Sequence, residues 1–298
     1  MNKFFYGIFL AAFSSALWGL GGNFTQYIFA HSDFNYISLV FARMFVTSLL
    51  FLLFGIYKHG SEIGIEMIKS KKRVFQLVIY SFFGMLGVQL PFYATIQYSS
   101  APFATLMQFG APVLVIAYFC IKFKKLPKIY EVVCTILILI GVFFVVTNGN
   151  YHTLSIDLHA IIWGVITSFG YAFYIVDAKK FFDFPTPFLM GYSMLIGSLI
   201  ILPLLSIPDI LHYFKDTTIL IYFFIVVIVG TFLPFYFLIE SSRHISPTLT
   251  CLLAVVEPIV SLIVAINFMG EVFGMYQLIG IVVIIISITA ISFFSKSN

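Results

Sequence analysis

Charge is scarce in this sequence. Of 298 residues only 9% are Asp, Glu, Lys or Arg, against roughly 25% in soluble domains, too few to solvate a globule in water. Cysteine is scarcer still, with three residues. Cys120, Cys134 and Cys251 each lie inside an apolar run, without the paired spacing of a metal site or a loop position suited to a disulfide. They read as small apolar fillers, and no metal or cofactor is expected. No phosphate-binding loop is present, which excludes a nucleotide-driven pump. No appended soluble module or low-complexity tract offers a separate domain for catalysis. The net charge of +4 says nothing of nucleic acid, and no such partner is expected. In a chain this apolar, what matters is where the cations fall.

What the chain has in abundance is hydrocarbon. Hydrophobic residues make up 61% and the mean hydropathy is +1.07, the signature of an all-α polytopic membrane protein. At about 20 residues per span, ten apolar segments are predicted at 5–29, 36–57, 74–96, 101–121, 129–147, 157–177, 187–207, 219–240, 246–267 and 273–294. The first follows Lys3 and contains Ala11-Ala12, like a signal peptide. It is longer than the roughly 7–15 residues of such a core, so it reads as a retained helix. With the N-terminus inside, the cytoplasmic side collects Lys3, Lys58, Lys69, Lys71, Lys72, Arg73, Lys122, Lys124, Lys125, Lys128, Lys179, Lys180, Arg243 and Lys296. That is 14 of the 16 Lys and Arg. Only Lys215 falls outside, and Arg43 lies within a span. The positive-inside rule then puts both termini in the cytoplasm, which requires an even number of spans.

The chain also repeats itself. Gln89-Leu90-Pro91-Phe92-Tyr93 echoes Phe232-Leu233-Pro234-Phe235-Tyr236. At a constant offset of 146, Ser100 pairs with Ser246, Pro112 with Pro258, Lys125 with Glu271 and Glu131 with Gln277. Two units are predicted, 5–147 and 157–294. Five spans per unit is odd, so the copies must be inverted relative to each other, an arrangement that marks a midplane site and alternating access.

Several of these residues carry a family resemblance. The stretch Ser246-Pro247-Thr248 to Glu257-Pro258, then Gly270-Glu271 and Gln277-Leu278-Ile279-Gly280, resembles the closing helices of an EamA-type unit of the drug/metabolite transporter superfamily. Tyr98-Ser99-Ser100-Ala101 with Pro112 is similar in the first copy. Ala16-Leu17-Trp18-Gly19 resembles the first helix of the unit, and Phe41-Ala42-Arg43-Met44 its second. The likeness covers nearly the whole chain as two tandem units. It implies a helical secondary carrier, commonly an exporter of amino acids, drugs or other small metabolites. Two positions depart from the pattern. Ala111 stands where the acid before proline would be, and Lys124-Lys125 replaces Gly-Glu.

Glu257 and Arg43 are the ionisable residues deepest in the apolar runs. A carboxylate at bilayer depth costs about 2–4 kcal/mol, so it faces a cavity or a partner. Arg43 stays charged and calls for an anionic partner, either Glu257 in direct contact or a substrate carboxylate held bidentately. The competing reading has Arg43 snorkel to the outer interface. Trp18, Asn23, Gln89, Tyr93, Gln108, Tyr171 and Tyr174 are polar-edged groups inside spans that could wall a small-molecule site; for the aromatics, plain helix packing is the commoner role. Pro91, Pro112, Pro234 and Pro258 are expected to bend helices and act as gates, Pro258 by kinking its span in the middle. Asp177 and Glu240 are expected as wetted interface residues.

The sequence therefore predicts a secondary transporter that exports small metabolites across the cell membrane by alternating access, with protonation of Glu257 as its coupling step. Its partners are a small-molecule substrate, the lipid bilayer and, as an option left open, a second copy of the chain. An importer or exchanger is the alternative carrier. An intramembrane enzyme is the alternative class, disfavoured because no metal-spaced His pair or Gly-set nucleophile lies within the spans. Richness in Phe, Ile, Tyr, Asn and Lys points to a bacterial source.

Overall fold

A computed structural model of the chain describes residues 3–108, 110–124, 126–150, 156–246, 249–250, 253–254 and 256–296. Cys251, Pro247, Thr248 and Lys125, each named above, lie outside them. Every regular element among the described residues is a helix, and none is a strand. Seven helices are long and apolar enough to cross a membrane: α1 (Lys3–His31), α2 (Tyr36–His59), α3 (Lys71–Tyr98), α4 (Ala101–Phe123), α6 (Leu158–Phe181), α7 (Thr186–Leu204) and α8 (Thr217–Ser242). Three further helices, α5 (Ile129–Thr147), α9 (Val256–Phe268) and α10 (Met275–Lys296), carry shorter apolar stretches. An all-helical answer is forced in hydrocarbon, where every backbone N–H and C=O must find its partner within the segment.

Local chemistry sets the ends. The side chain of Asn35 accepts from Ser38 N at the start of α2, Asp157 from His159 N before α6, and Asp216 from Thr218 N before α8, each capping an orphan donor of the first turn. Large side chains such as Leu53, Tyr57, Phe75, Leu139 and Ile286 are exposed along the outer faces. In water that would be an aggregating surface; here it is the face that meets lipid.

The predicted limits of most segments fall within a few residues of the observed helices. The stretch from 246 differs. Residues 249, 250 and 253 are helical and Ala254 is a turn; beyond it, Pro258 is the third residue of α9, where its missing N–H leaves no intrahelical bond unmade. The carbonyl that Pro258 would have served, Ala254 O, instead accepts from Glu257 N at 2.9 Å. The turn at Ala254 lies one helical turn ahead of the proline, with helical residues described on both sides of it.

Helices pair in a pattern with an internal logic. α2 packs on α7 and α5 on α10; α1 lies against α8 and α9, while α6 lies against α3 and α4. Two contacts are close enough to require glycine. A Cβ on Gly21 of α1 would sit 2.4 Å from Gly230 Cα in α8, and one on Gly170 of α6 would sit 2.1 Å from Gly87 O in α3. Small residues of this kind let helix backbones approach when no hydrophobic force separates lipid from protein.

α3 and α8 share a second peculiarity. Each contains a π-helical stretch, Tyr80–Leu86 and Ile228–Phe232, just ahead of its Leu-Pro-Phe-Tyr motif. Pro91 and Pro234 lack the N–H that would have bonded Gly87 O and Gly230 O. The irregular turns thus coincide with the two glycine crossings.

Candidate functional site

Six of the nine residues singled out as substrate ligands converge. Trp18, Arg43, Gln89, Tyr93, Gln108 and Glu257 line one cavity, completed by Gly22, Val88, Phe92, Gly230 and Phe235. They come from six helices, α1, α2, α3, α4, α8 and α9. The space left inside is about 20 Å³ for the centre of a water molecule, room for one or two waters on a scale where one needs about 10–15 Å³. The site is narrow.

Arg43 is 1% exposed and does not snorkel. Its Nη1 donates to Tyr93 Oη at 2.5 Å and to Thr231 Oγ1 at 3.0 Å, and its Nη2 donates to Gln89 Oε1. The guanidinium also lies 3.8 Å over the Tyr93 ring, a cation–π contact strengthened by the dry setting. Nε has no hydrogen-bond partner among the described residues. Helix α2 supplies the cation, α3 two of its acceptors and α8 the third.

Glu257 is equally buried, at 1%, in the first turn of α9. Gln108 Nε2 approaches its carboxyl at 3.4 Å, the long end of a hydrogen bond. The direct Arg43–Glu257 contact expected from the sequence is not made. Four ion pairs occur among the described residues and none joins these two. The physical reason is that the arginine fork is spent on α3 and α8. The two charges face a common cavity without touching.

Three of the nine residues do other work. Asn23 Nδ2 donates to Gly19 O, Ser261 O and Ser261 Oγ, stapling α1 to α9. Tyr171 and Tyr174 stand one layer back. Tyr171 meets the edge of Trp18 at 6.1 Å, and Tyr174 meets Phe235 at 5.7 Å and stacks on Tyr80 at 5.8 Å, so they buttress the aromatic wall. Pro91 and Pro234 follow the π turns; Pro112 lies within α4, and Pro258 is the third residue of α9. Thr231, Phe92 and Phe235 were missed. The two phenylalanines belong to the repeated Leu-Pro-Phe-Tyr motifs, which could have flagged them; Thr231 carries no such signal.

Both ends of the bundle are tied. At one, Arg243 donates to Phe182 O and Phe184 O and lies 3.5 Å from Glu240, which accepts from Thr186 Oγ1. Beside them Arg73 pairs with Asp183 at 2.7 Å, and that bond holds the Asp183 carboxyl below its usual range. Asp177 pairs with Lys180. At the other end the ties are largely neutral: Tyr36 N donates to Gln97 Oε1 at 2.8 Å, and Gln26 bridges Glu271 and Ala101 N. Among the described residues no group of His, Cys, Asp or Glu could hold a metal ion.

The family model of the EamA-like transporter family matches residues 5–147 and 158–293. The chain belongs to that family. An uncharacterized inner membrane transporter of Salmonella typhimurium, YicL, is 30% identical over 291 residues, covering 97% of this EamA protein and 96% of YicL. A protein of known crystal structure superposes with a TM-score of 0.65 at 12% identity, over 99% of this chain and 98% of that one, a likeness of fold alone. This EamA-family chain is a membrane transporter rather than an enzyme.

Proposed function

We propose that the protein is a secondary carrier that exports small metabolites bearing an anionic group, amino acids and related compounds among them, by alternating access. In this reading ten spans form two inverted units, 5–147 and 157–294, with both termini in the cytoplasm. The observation that carries it is the shared cavity. A buried guanidinium from the first half of the chain and a buried carboxyl from the second face one narrow, aromatic-walled space. Arg43 with its unpartnered Nε is suited to a carboxylate. Glu257 is suited to carry the coupling proton, because among the described residues its one side-chain neighbour by hydrogen bond is the weakly placed Gln108.

The helix pairing supports the inverted units. Exchanging α1–α5 for α6–α10 in order turns the α1–α8 contact into α6–α3, and α1–α9 into α6–α4, while α2–α7 and α5–α10 map onto themselves. The clustering of cations supports the orientation. The π turns ahead of Pro91 and Pro234 are places where the two ends could open in turn.

The test compares metabolites released by bacterial cells making the native protein with cells making Arg43→Ala/Glu257→Gln at matched membrane levels. A small set of compounds enriched outside with the native protein alone is the expected result and names the substrate class. No difference in rich and amino-acid-loaded media would overturn export. Glu257→Gln alone should still bind its cargo but lose uphill transport; unchanged dependence on the proton gradient would remove Glu257 from coupling.

A further inference from the structure

Thr231 lies inside the π-helical stretch of α8, and its hydroxyl has one hydrogen to give. That hydrogen goes to Val226 O, five residues back, at 2.9 Å. The hydroxyl therefore caps a carbonyl of the irregular turn, and its lone pairs are left to accept from Arg43 Nη1 at 3.0 Å. Through Tyr93 and Gln89 the same guanidinium holds α3. One cation on α2 thus ties together the two helices that carry π turns. At the matching place in α3, 143 residues earlier, stands Val88, which has no polar group, so the tie to the α8 turn rests on Thr231.

We infer that Thr231 is a positioning residue that couples Arg43 to the π turn of α8, so that the guanidinium clamps α3 and α8 and keeps the cavity narrow. An anionic group arriving at Arg43 competes for the same donors. Filling the site and releasing the clamp then become one event. This last step rests on the transport reading; the clamp itself does not.

The experiment needs no substrate. In a chain with its three native cysteines replaced, Val88→Cys places a thiol on the cavity lining, and its rate of reaction with a small methanethiosulfonate reports opening in the purified protein. Thr231→Val should raise that rate about tenfold, the scale of one lost hydrogen bond to a charged group. Thr231→Ser, which keeps the hydroxyl, should hold the native rate. Arg43→Gln should raise it as much as Thr231→Val does, and the two changes together should add nothing further. An unchanged rate in Thr231→Val, or effects that multiply in the double variant, would overturn the clamp. Should Thr231→Val fail to fold, Thr231→Ala carries the same expectation, with faster hydrogen exchange confined to residues 226–233. A negative result leaves export standing, and a failed export assay leaves a positive labelling result standing.

Discussion

Counted from the first residue of α2 and of α7, Arg43 and Ser193 occupy the same position in the two halves of the chain. Arg43 reaches across to α3 and α8, whereas the Ser193 hydroxyl turns back to Leu189 O on its own helix. The contrast recurs around the cavity. Gln89 accepts from Arg43, while its counterpart Phe232 packs on Phe51 at 4.4 Å. Tyr93 sits under the guanidinium, while Tyr236 accepts from Lys58 near the surface. Glu257 faces the cavity, while Ala111 packs fully buried. Where helices cross, the halves agree: Gly21 on Gly230 is answered by Gly170 on Gly87. Backbone crossings come in duplicate and charges come singly. A cation from one half and an acid from the other make a site whose geometry changes whenever the halves move relative to each other.

The sharpest way to break this comparison is to make the halves chemically alike. Ala111→Glu puts a second acid at a fully buried position with no partner arranged for it. It should destabilise by more than about 3 kcal/mol, from overpacking and an unpaired polar group together. Thermal unfolding in detergent measures this, and a variant as stable as the native protein would mean that the site tolerates two acids. The crossings test the agreement from the other side. Gly21→Ala and Gly170→Ala should each cost about 1–3 kcal/mol, and by similar amounts. Gly60→Ala, at φ +82° with open space around it, should cost less, through backbone strain alone. Unequal effects at Gly21 and Gly170 would argue against equivalent roles.

The smallest effect is expected at the ends. Arg73 lowers the Asp183 pKa, so this tie is present above the ordinary Asp range and is lost as pH falls through the depressed value. Both side chains are partly exposed, at 32% and 64%, so screening keeps the contribution small. Acidification should speed hydrogen exchange in residues 178–185, and Asp183→Asn should flatten that dependence.

Much of this was legible in the sequence because hydrocarbon makes exceptions conspicuous. An Arg or a Glu inside an apolar run must face something, which pointed to Arg43 and Glu257 without a structure. Depth along a helix, however, does not say which way a side chain points. Tyr171 and Tyr174 were placed at the right level but stand behind the wall, and Asn23 found a helix partner in Ser261. The Arg43–Glu257 contact failed for a related reason, since helix rotation delivered the guanidinium to α3 and α8 first. Thr231 was invisible, because a threonine in an apolar run ordinarily bonds back to its own backbone. Only the π turn makes its other face matter.

Those π turns at Tyr80–Leu86 and Ile228–Phe232 have a consequence for register. A π turn stores a surplus residue relative to the α-helix around it. Absorbing that residue would rotate the segment beyond it by roughly 100° and shift it by about 1.5 Å. In α3 the rotated segment carries Gln89 and Tyr93; in α8 it carries Phe235. One residue of slack in each helix is enough to turn the arginine's acceptors, or one aromatic wall, out of the cavity without breaking either helix.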